Sequence, residues 1–394
     1  RYRDFRLYWL AFNVSLLGLA FQNVAQGWLV YRLTNSATML GVTGFVSAIL
    51  AAPAMIVGGL VADRFPRRNV LVVTQALLVI PPVVLAYLIW RDQVQVWHVI
   101  AATTAMGMIA AIDLPSRTSI VPQLVGLDDT LNAQSLSSAA RQVTRIIGPV
   151  LAGMLIAWKG EAGPYLINGV TYLAMVAAFA AMRPQPAPAQ SLRQEGLRSS
   201  LLDGFQVIWK SSILLGLFVM AIAQGMFLNS YLTLLPVYAG DILRVGAPGL
   251  GWLNTAIGVG ALLGALWMAN LEQGRRGRVL FVAGLLMPVA LAAFAWSQWM
   301  GLTLPLLMVL GGGTVVIRTI TTTMFLTVVP DQVRGRVSSL ATMVYFGAPY
   351  IGGLPAGFLA EHWGAPAALT LAAILFWVSM VIIGLKTPGV RRLE

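Results

Sequence analysis

Five charged residues fall in stretches of this sequence that are otherwise too apolar to hold them: Asp113, Arg117, Arg141, Arg145 and Arg318. An ionised side chain inside lipid costs several kcal/mol unless it is paired or faces water, so each is a candidate for function by default. Asp113 is the one carboxylate well inside such a stretch, and Arg117 follows it by four residues, on the same face of a helix. That spacing supports two chemistries. Asp113 can be a protonatable coupling group whose arginine partnership changes between states, or half of a permanent structural pair with Arg117 or Arg145. Arg141 and Arg145 are also four apart. If their helix starts near Leu131, Arg145 lies roughly 20 Å into it at the α-helical rise, too deep for an interfacial anchor. Three embedded arginines (Arg141, Arg145, Arg318) against one carboxylate leave an excess of +2, or +3 with Arg117 counted. A net positive interior suits an anionic or zwitterionic amphiphile better than a cation. The alternative is that the arginines bond backbone carbonyls as gating struts.

Uncharged polar side chains extend the list. The first apolar stretch carries Asn13, Gln22, Asn23 and Gln26, and the seventh carries Gln224 and Asn229. Amides in lipid must face water or another helix, so these are expected either to line a cavity or to bond across helices. Tyr345 is expected to contribute to an aromatic wall. Other chemistries lack their residues. With no cysteine and only His98 and His362, the chain has no disulfides, zinc clusters or thiol nucleophile. It has no Gly-Lys-Ser/Thr phosphate loop, so ATP hydrolysis and membrane-embedded enzymology are not expected, and no cofactor or metal is.

The elements that must position these residues follow from composition. Of 394 residues, 58% are apolar and 10% charged, with a mean hydropathy of +0.78. Soluble domains average about 45–50% apolar and about 25% charged, so lipid is the expected solvent. Runs of about 20 apolar residues read as spanning helices. Twelve are expected: 7–31, 39–61, 69–90, 95–121, 131–157, 164–182, 212–238, 249–270, 279–298, 302–329, 337–360 and 366–386. They are too long and too unalternating for barrel strands. The first is too long for a cleavable signal peptide. The net charge of +12 segregates with respect to these spans. With the N-terminus inside, 19 Lys and Arg fall on the inner side and four (Arg32, Arg91, Lys159, Arg244) on the outer. The positive-inside rule then places both termini in the cytoplasm, and the basic excess meets lipid headgroups rather than nucleic acid.

The halves look related. A shift of about 200 residues lays Gly148-Pro149 on Ala348-Pro349, and a shift of 201 lays Arg117 on Arg318. Parallel repeats of six spans each fit this pattern. The expected division is a six-helix bundle over 1–182, a cytoplasmic linker over 183–210 ending in a short interfacial helix, and a second bundle over 211–394. Gly148, Pro149 and Pro349 are expected to let their spans bend.

The string GGLVADRFPRRNVL at 58–71 resembles the loop signature of the major facilitator superfamily, with Pro66 where a Gly is usual. GPVLAG at 148–153 resembles the signature of its antiporters, and Asp113, Pro115, Arg117, Val121-Pro122, Asn132-Ala133 and Gly148-Pro149 resemble one branch, that of enterobactin, drug and macrolide exporters. The resemblance implies an all-α polytopic fold of twelve transmembrane helices in two pseudo-symmetric bundles, in the plasma (bacterial inner) membrane. It implies alternating-access efflux of small amphiphiles driven by a proton gradient, with a lipid or lysophospholipid translocator as the alternative on the same fold. A single chain would form the whole pathway, so a monomer among membrane lipids is expected. The resemblance also implies that Asp63, with Arg64 and Arg67, joins a latch to the N-terminus of span eleven. Thr103 stands where many proton-coupled drug exporters carry an arginine in span four, so that relay residue is not carried over.

Overall fold

The computed structural model describes residues 2–183, 205–271, 276–329 and 331–386. The linker residues 184–204 lie outside this set. Residues 205–210, at the end of the expected linker, are helical, with Phe205 and Trp209 stacked and exposed. Ser211 then separates this turn from the next helix, accepting a hydrogen bond from the Leu214 N–H as an N-cap.

The described residues are almost wholly helical. The first half holds α1 (Arg3–Thr34), α2 (Ala37–Arg64), α3 (Arg67–Trp90), α4 (Val96–Val125), α5 (Thr130–Lys159) and α6 (Ala162–Ala181). The second begins with α7 (Ser212–Met226) and α8 (Tyr231–Val237), joined by a 3₁₀ turn (Leu228–Ser230) and followed by a π turn (Tyr238–Ile242). It continues through α9 (Gly246–Ala269), α10 (Arg276–Ala295), α11 (Met300–Val328), α12 (Asp331–Trp363) and α13 (Ala365–Lys386). Among the described residues, eleven helical segments are long and apolar enough to cross a membrane, with Ser212–Ile242 counting as one. The twelfth expected span is α5. Its 30 residues are long enough, but its first half, TLNAQSLSSAARQVTR, is polar.

Helix α3 shows why these segments need lipid. Val70, Leu71, Thr74, Gln75, Leu78, Pro82 and Leu85 are buried, while Val73, Leu77, Ile80, Val84 and Tyr87 form an exposed stripe on the other side. A helix apolar on both faces has no stable orientation against water.

The chain divides into two compact units. Unit 1 comprises Arg1–Asn35, Val46–Leu192 and Val245–Thr255, and unit 2 comprises Ser36–Phe45, Arg193–Arg244 and Ala256–Glu394. The division follows the halves except that the first turns of α2 and of α9 are exchanged. Close backbone contacts at glycines accompany the exchange. In unit 1, Gly251 of α9 sits on the Pro149 carbonyl of α5, and in unit 2, Gly357 of α12 sits on the Ala37 carbonyl of α2. A Cβ at either place would strike backbone, which cannot yield cheaply. In unit 2 the Glu361 carboxylate of α12 also accepts hydrogen bonds from the Ser36 hydroxyl (2.5 Å) and the Thr38 N–H (3.0 Å) at the start of α2.

The core of unit 1 joins Phe5, Tyr8 and Phe12 of α1 to Leu71, Ile120, Val121, Met175 and Phe179 of α3, α4 and α6. In unit 2, Tyr231 and Tyr238 pack on Phe294 of α10, the latter ring stacked at 4.5 Å.

Candidate functional site

In unit 1 the polar centre is built around Asp113, deep in α4 and 3% exposed. One carboxylate oxygen, Oδ2, accepts from Arg117 Nε (2.7 Å) and Nη2 (2.6 Å), one helical turn away. The other, Oδ1, accepts from Thr74 Oγ1 (2.6 Å) and Gln75 Nε2 (2.8 Å) of α3. Four donors saturate the anion, which is how a buried charge is kept without water. Of the partnerships open from sequence, the one present is with Arg117. Arg145 is exposed and makes no ion pair with a described carboxylate. A proton arriving at Asp113 must displace one of the four donors.

Thr74 and Gln75 were not singled out from sequence. The available signal is a Thr-Gln pair in the run VLVVTQALLVI, the same intramembrane-polarity argument that marks Asp113. Gln75 Oε1 is buried without a hydrogen-bond partner, and so is Ser116 Oγ of α4. The Arg117 and Arg141 guanidinium groups both lie over the Phe12 ring of α1, at 5.7 and 5.9 Å. Arg141 is exposed and also donates to Ser138 Oγ (2.9 Å).

The amides of α1 separate into different environments. Gln22 is 2% exposed and bonded across helices: its Oε1 accepts from Asn168 Nδ2 of α6 (2.5 Å), and its Nε2 points to Met106 Sδ of α4 (2.9 Å). Thr171 Oγ1 completes this network at Asn168 Oδ1 (3.3 Å). Asn13 bonds back to the Trp9 carbonyl of its own helix. Asn23 is exposed and Gln26 half-buried.

The basic loop after α2 is tied to helix ends. Arg67 Nη1 donates to the Ser119 carbonyl of α4 (2.9 Å), while Arg64 is exposed. Arg68, not picked out from sequence, donates from Nε to the Phe179 carbonyl (2.7 Å) and from Nη2 to the Ala180 carbonyl (2.6 Å). A cation thus sits at the C-terminus of α6, where the helix dipole favours it. The Asp63 side chain lies outside the described set. Gly148 and Pro149 are buried inside an unbroken α5, Gly148 against Ala20 of α1. Pro349 lies within α12, where it meets Gly225 of α7.

In unit 2 the polar centre is at Arg318. This residue stands ten residues from the end of α11, about 15 Å at the helical rise. Its guanidinium lies over the Tyr345 ring (5.1 Å) and the Phe346 ring (6.0 Å) of α12. It is exposed, and no described carboxylate lies within 4 Å. One turn before it on α11, Thr314 Oγ1 donates to Asn229 Oδ1 (3.4 Å), and the Thr314 carbonyl accepts from Gln224 Nε2 (2.8 Å). Gln224, Asn229, Arg318 and Tyr345 therefore belong to one neighbourhood. Its connecting residue, Thr314, carried no distinguishing signal in sequence.

No group of His, Asp and Glu among the described residues could hold a metal ion. The arrangement offers ion pairing, stacking and hydrogen bonding, and no nucleophile beside a base.

Comparison with known proteins agrees in kind. Over 385 residues the chain is 27% identical to the multidrug efflux pump Tap of Mycolicibacterium fortuitum, covering 94% of this chain and 92% of that protein. Over 401 residues it is 26% identical to the enterobactin exporter EntS of Shigella flexneri, covering 97% and 92%. Its fold matches that of the nucleoside transporter NupG with a TM-score of 0.80 at 14% identity, covering 97% and 99% of the two chains. It matches a D-xylose–proton symporter with a TM-score of 0.73 at 12% identity, covering 97% of each. Residues 1–391 match the family described as transmembrane secretion effector. The chain is an integral membrane protein that belongs to the transmembrane secretion effector family of major facilitator superfamily transporters.

Proposed function

We propose that this transporter is a secondary-active exporter of small anionic amphiphiles, working by alternating access and coupled to proton entry. The observation that carries the reading is Arg318: an exposed guanidinium midway along a spanning helix, stacked on two aromatic rings and paired with no described carboxylate. A cation retained at that depth requires an anionic partner for part of the cycle. The flanking Phe346 and Tyr350, both half-exposed or more, offer apolar surface for the rest of an amphiphile. The relatives, a multidrug efflux pump and an enterobactin exporter, support the outward direction. Arg141 and Arg145 add positive charge in unit 1, and Asp113–Arg117 is the coupling element in this reading. Both termini are cytoplasmic, on the strength of the 19 to 4 distribution of basic residues.

The test is flux in proteoliposomes containing the purified chain. An anionic fluorescent amphiphile should accumulate on the outer side faster when an inward proton gradient is imposed, and a cationic analogue of similar size should not. Equal flux of both would overturn the charge preference, and flux indifferent to the gradient would overturn the coupling. A lysophospholipid moved in place of the soluble anion would establish the lipid translocator instead, since a phosphate headgroup meets the same guanidinium.

A further inference from the structure

Unit 2 contains a polar cavity whose lining does not include Arg318. It has a volume of about 480 Å³ and is lined by Asp241, Ile242, Arg244, Ala295, Trp296, Gln298 and Pro366. This is within the range of roughly 300–1,000 Å³ common for small-molecule sites.

The walls are fixed by several independent contacts. The π turn closes with the Leu243 N–H donating to the Tyr238 carbonyl (2.8 Å). The Tyr238 hydroxyl donates to the Ala295 carbonyl (2.7 Å), tying this turn to the end of α10. Trp296 Nε1 donates to Thr370 Oγ1 of α13 (3.1 Å). Arg244 has φ +54°, a left-handed conformation that a non-glycine residue adopts at a cost. Wide helical turns and such backbone outliers concentrate where a side chain must be aimed at something.

The chemistry of the lining is specific. A carboxylate (Asp241) and a guanidinium (Arg244) three residues apart face one cavity, with the Gln298 amide and an indole beside them. Opposite charges in one small cavity match a ligand carrying both an ammonium and a phosphate. A primary ammonium can donate to Asp241 and to the Gln298 carbonyl oxygen, which a quaternary ammonium cannot. Arg244 supplies a planar donor fork for phosphate. Trp296 in the cavity wall is 65% exposed, and Trp299 and Trp363, within three residues in sequence of the lining residues Gln298 and Pro366, are 72% and 65% exposed, as tryptophans at the membrane–water interface are. The cavity therefore lies at headgroup depth.

We propose that this cavity binds a phosphoethanolamine headgroup, with the ammonium on Asp241 and Gln298 and the phosphate on Arg244. The proposal is independent of the nature of the transported substrate.

The experiment is native mass spectrometry of the full chain in detergent with defined lipids: phosphatidylethanolamine, phosphatidylcholine and phosphatidylglycerol. The unmodified chain should retain phosphatidylethanolamine over the other two by about tenfold, the worth of one charge-assisted hydrogen bond. Asp241→Asn should abolish the preference, whereas Arg244→Asn should weaken retention of all three lipids alike, since each carries the phosphate; asparagine tolerates the left-handed backbone at 244. Gln298→Lys, at an exposed position, should lower it by placing a like charge against the ammonium without disturbing the fold. Competition by water-soluble glycerophosphoethanolamine would mean that the headgroup alone suffices, and its failure to compete would assign the site to intact lipid. Absence of any preference in the unmodified chain, a preference unchanged by Asp241→Asn and Gln298→Lys, or retention of all three lipids unchanged by Arg244→Asn would overturn the proposal.

Discussion

Glu361, in the last turn of α12, holds Ser36 at the start of α2 through a 2.5 Å hydrogen bond, and the same carboxylate oxygen accepts the Thr38 N–H at 3.0 Å. Ser36 in turn accepts from the Met39 N–H, the usual work of an N-cap. One carboxylate thus serves both the dipole of α2 and its packing against α12. In the proposed cycle these helix ends must part when the outer side opens. Glu361→Gln should therefore favour the parted state. The chain lacks cysteine, so labels at Thr38→Cys and Trp363→Cys report this distance alone. A distribution shifted to longer distances by Glu361→Gln is expected, and an unchanged one would remove Glu361 from the contact that holds these ends.

Asp113 and Arg117 are buried together, so removing one strands the other. Asp113→Asn should destabilise the protein by about 3–5 kcal/mol, the usual cost of an uncompensated buried charge. Asp113→Asn with Arg117→Gln should cost less than the sum of the two single changes. Thermal unfolding of the four proteins closes the cycle, and additivity would show that the pair is not energetically coupled.

At Arg318 the planar stacking and the charge can be separated. Arg318→Lys keeps the charge and loses the fork and most of the ring contact, and should weaken binding of an anionic amphiphile by about 0.5–1 kcal/mol, a few-fold. Arg318→Gln should weaken it by about tenfold or more. Titration by fluorescence quenching checks both, and equal affinities for all three proteins would rule out contact with the anion.

Gln22 is held inside unit 1 by Asn168, so its role should be one of packing. Asn168→Ala leaves buried amide groups unsatisfied and should cost about 1–3 kcal/mol of stability. Substrate affinity of the folded variant should stay unchanged. A large loss of affinity at full stability would return Gln22 to the substrate path.

The sequence by itself determined the solvent and the elements. Apolar runs of about 20 residues leave no alternative to spanning helices in lipid, because every backbone group must be satisfied within its own segment. That Asp113 and Arg117 share a helix face was equally legible, since they are four residues apart, but only the structure decides between Arg117 and Arg145 as partner. The run at 131–157 reads as a span like the others; α5 has the length for it, but its polar first half leaves it outside the helices apolar enough to cross a membrane. The tertiary structure decided which face meets which neighbour. Asp113 finds Thr74 and Gln75 on α3, and Gln22 finds Asn168 at a separation of 146 residues. Helical periodicity fixes directions around one axis and carries no information about the axis beside it. Helical periodicity puts Gln22 and Asn23 on different faces of α1; only the structure shows that the Gln22 face turns to Asn168 of α6 and the Asn23 face outward.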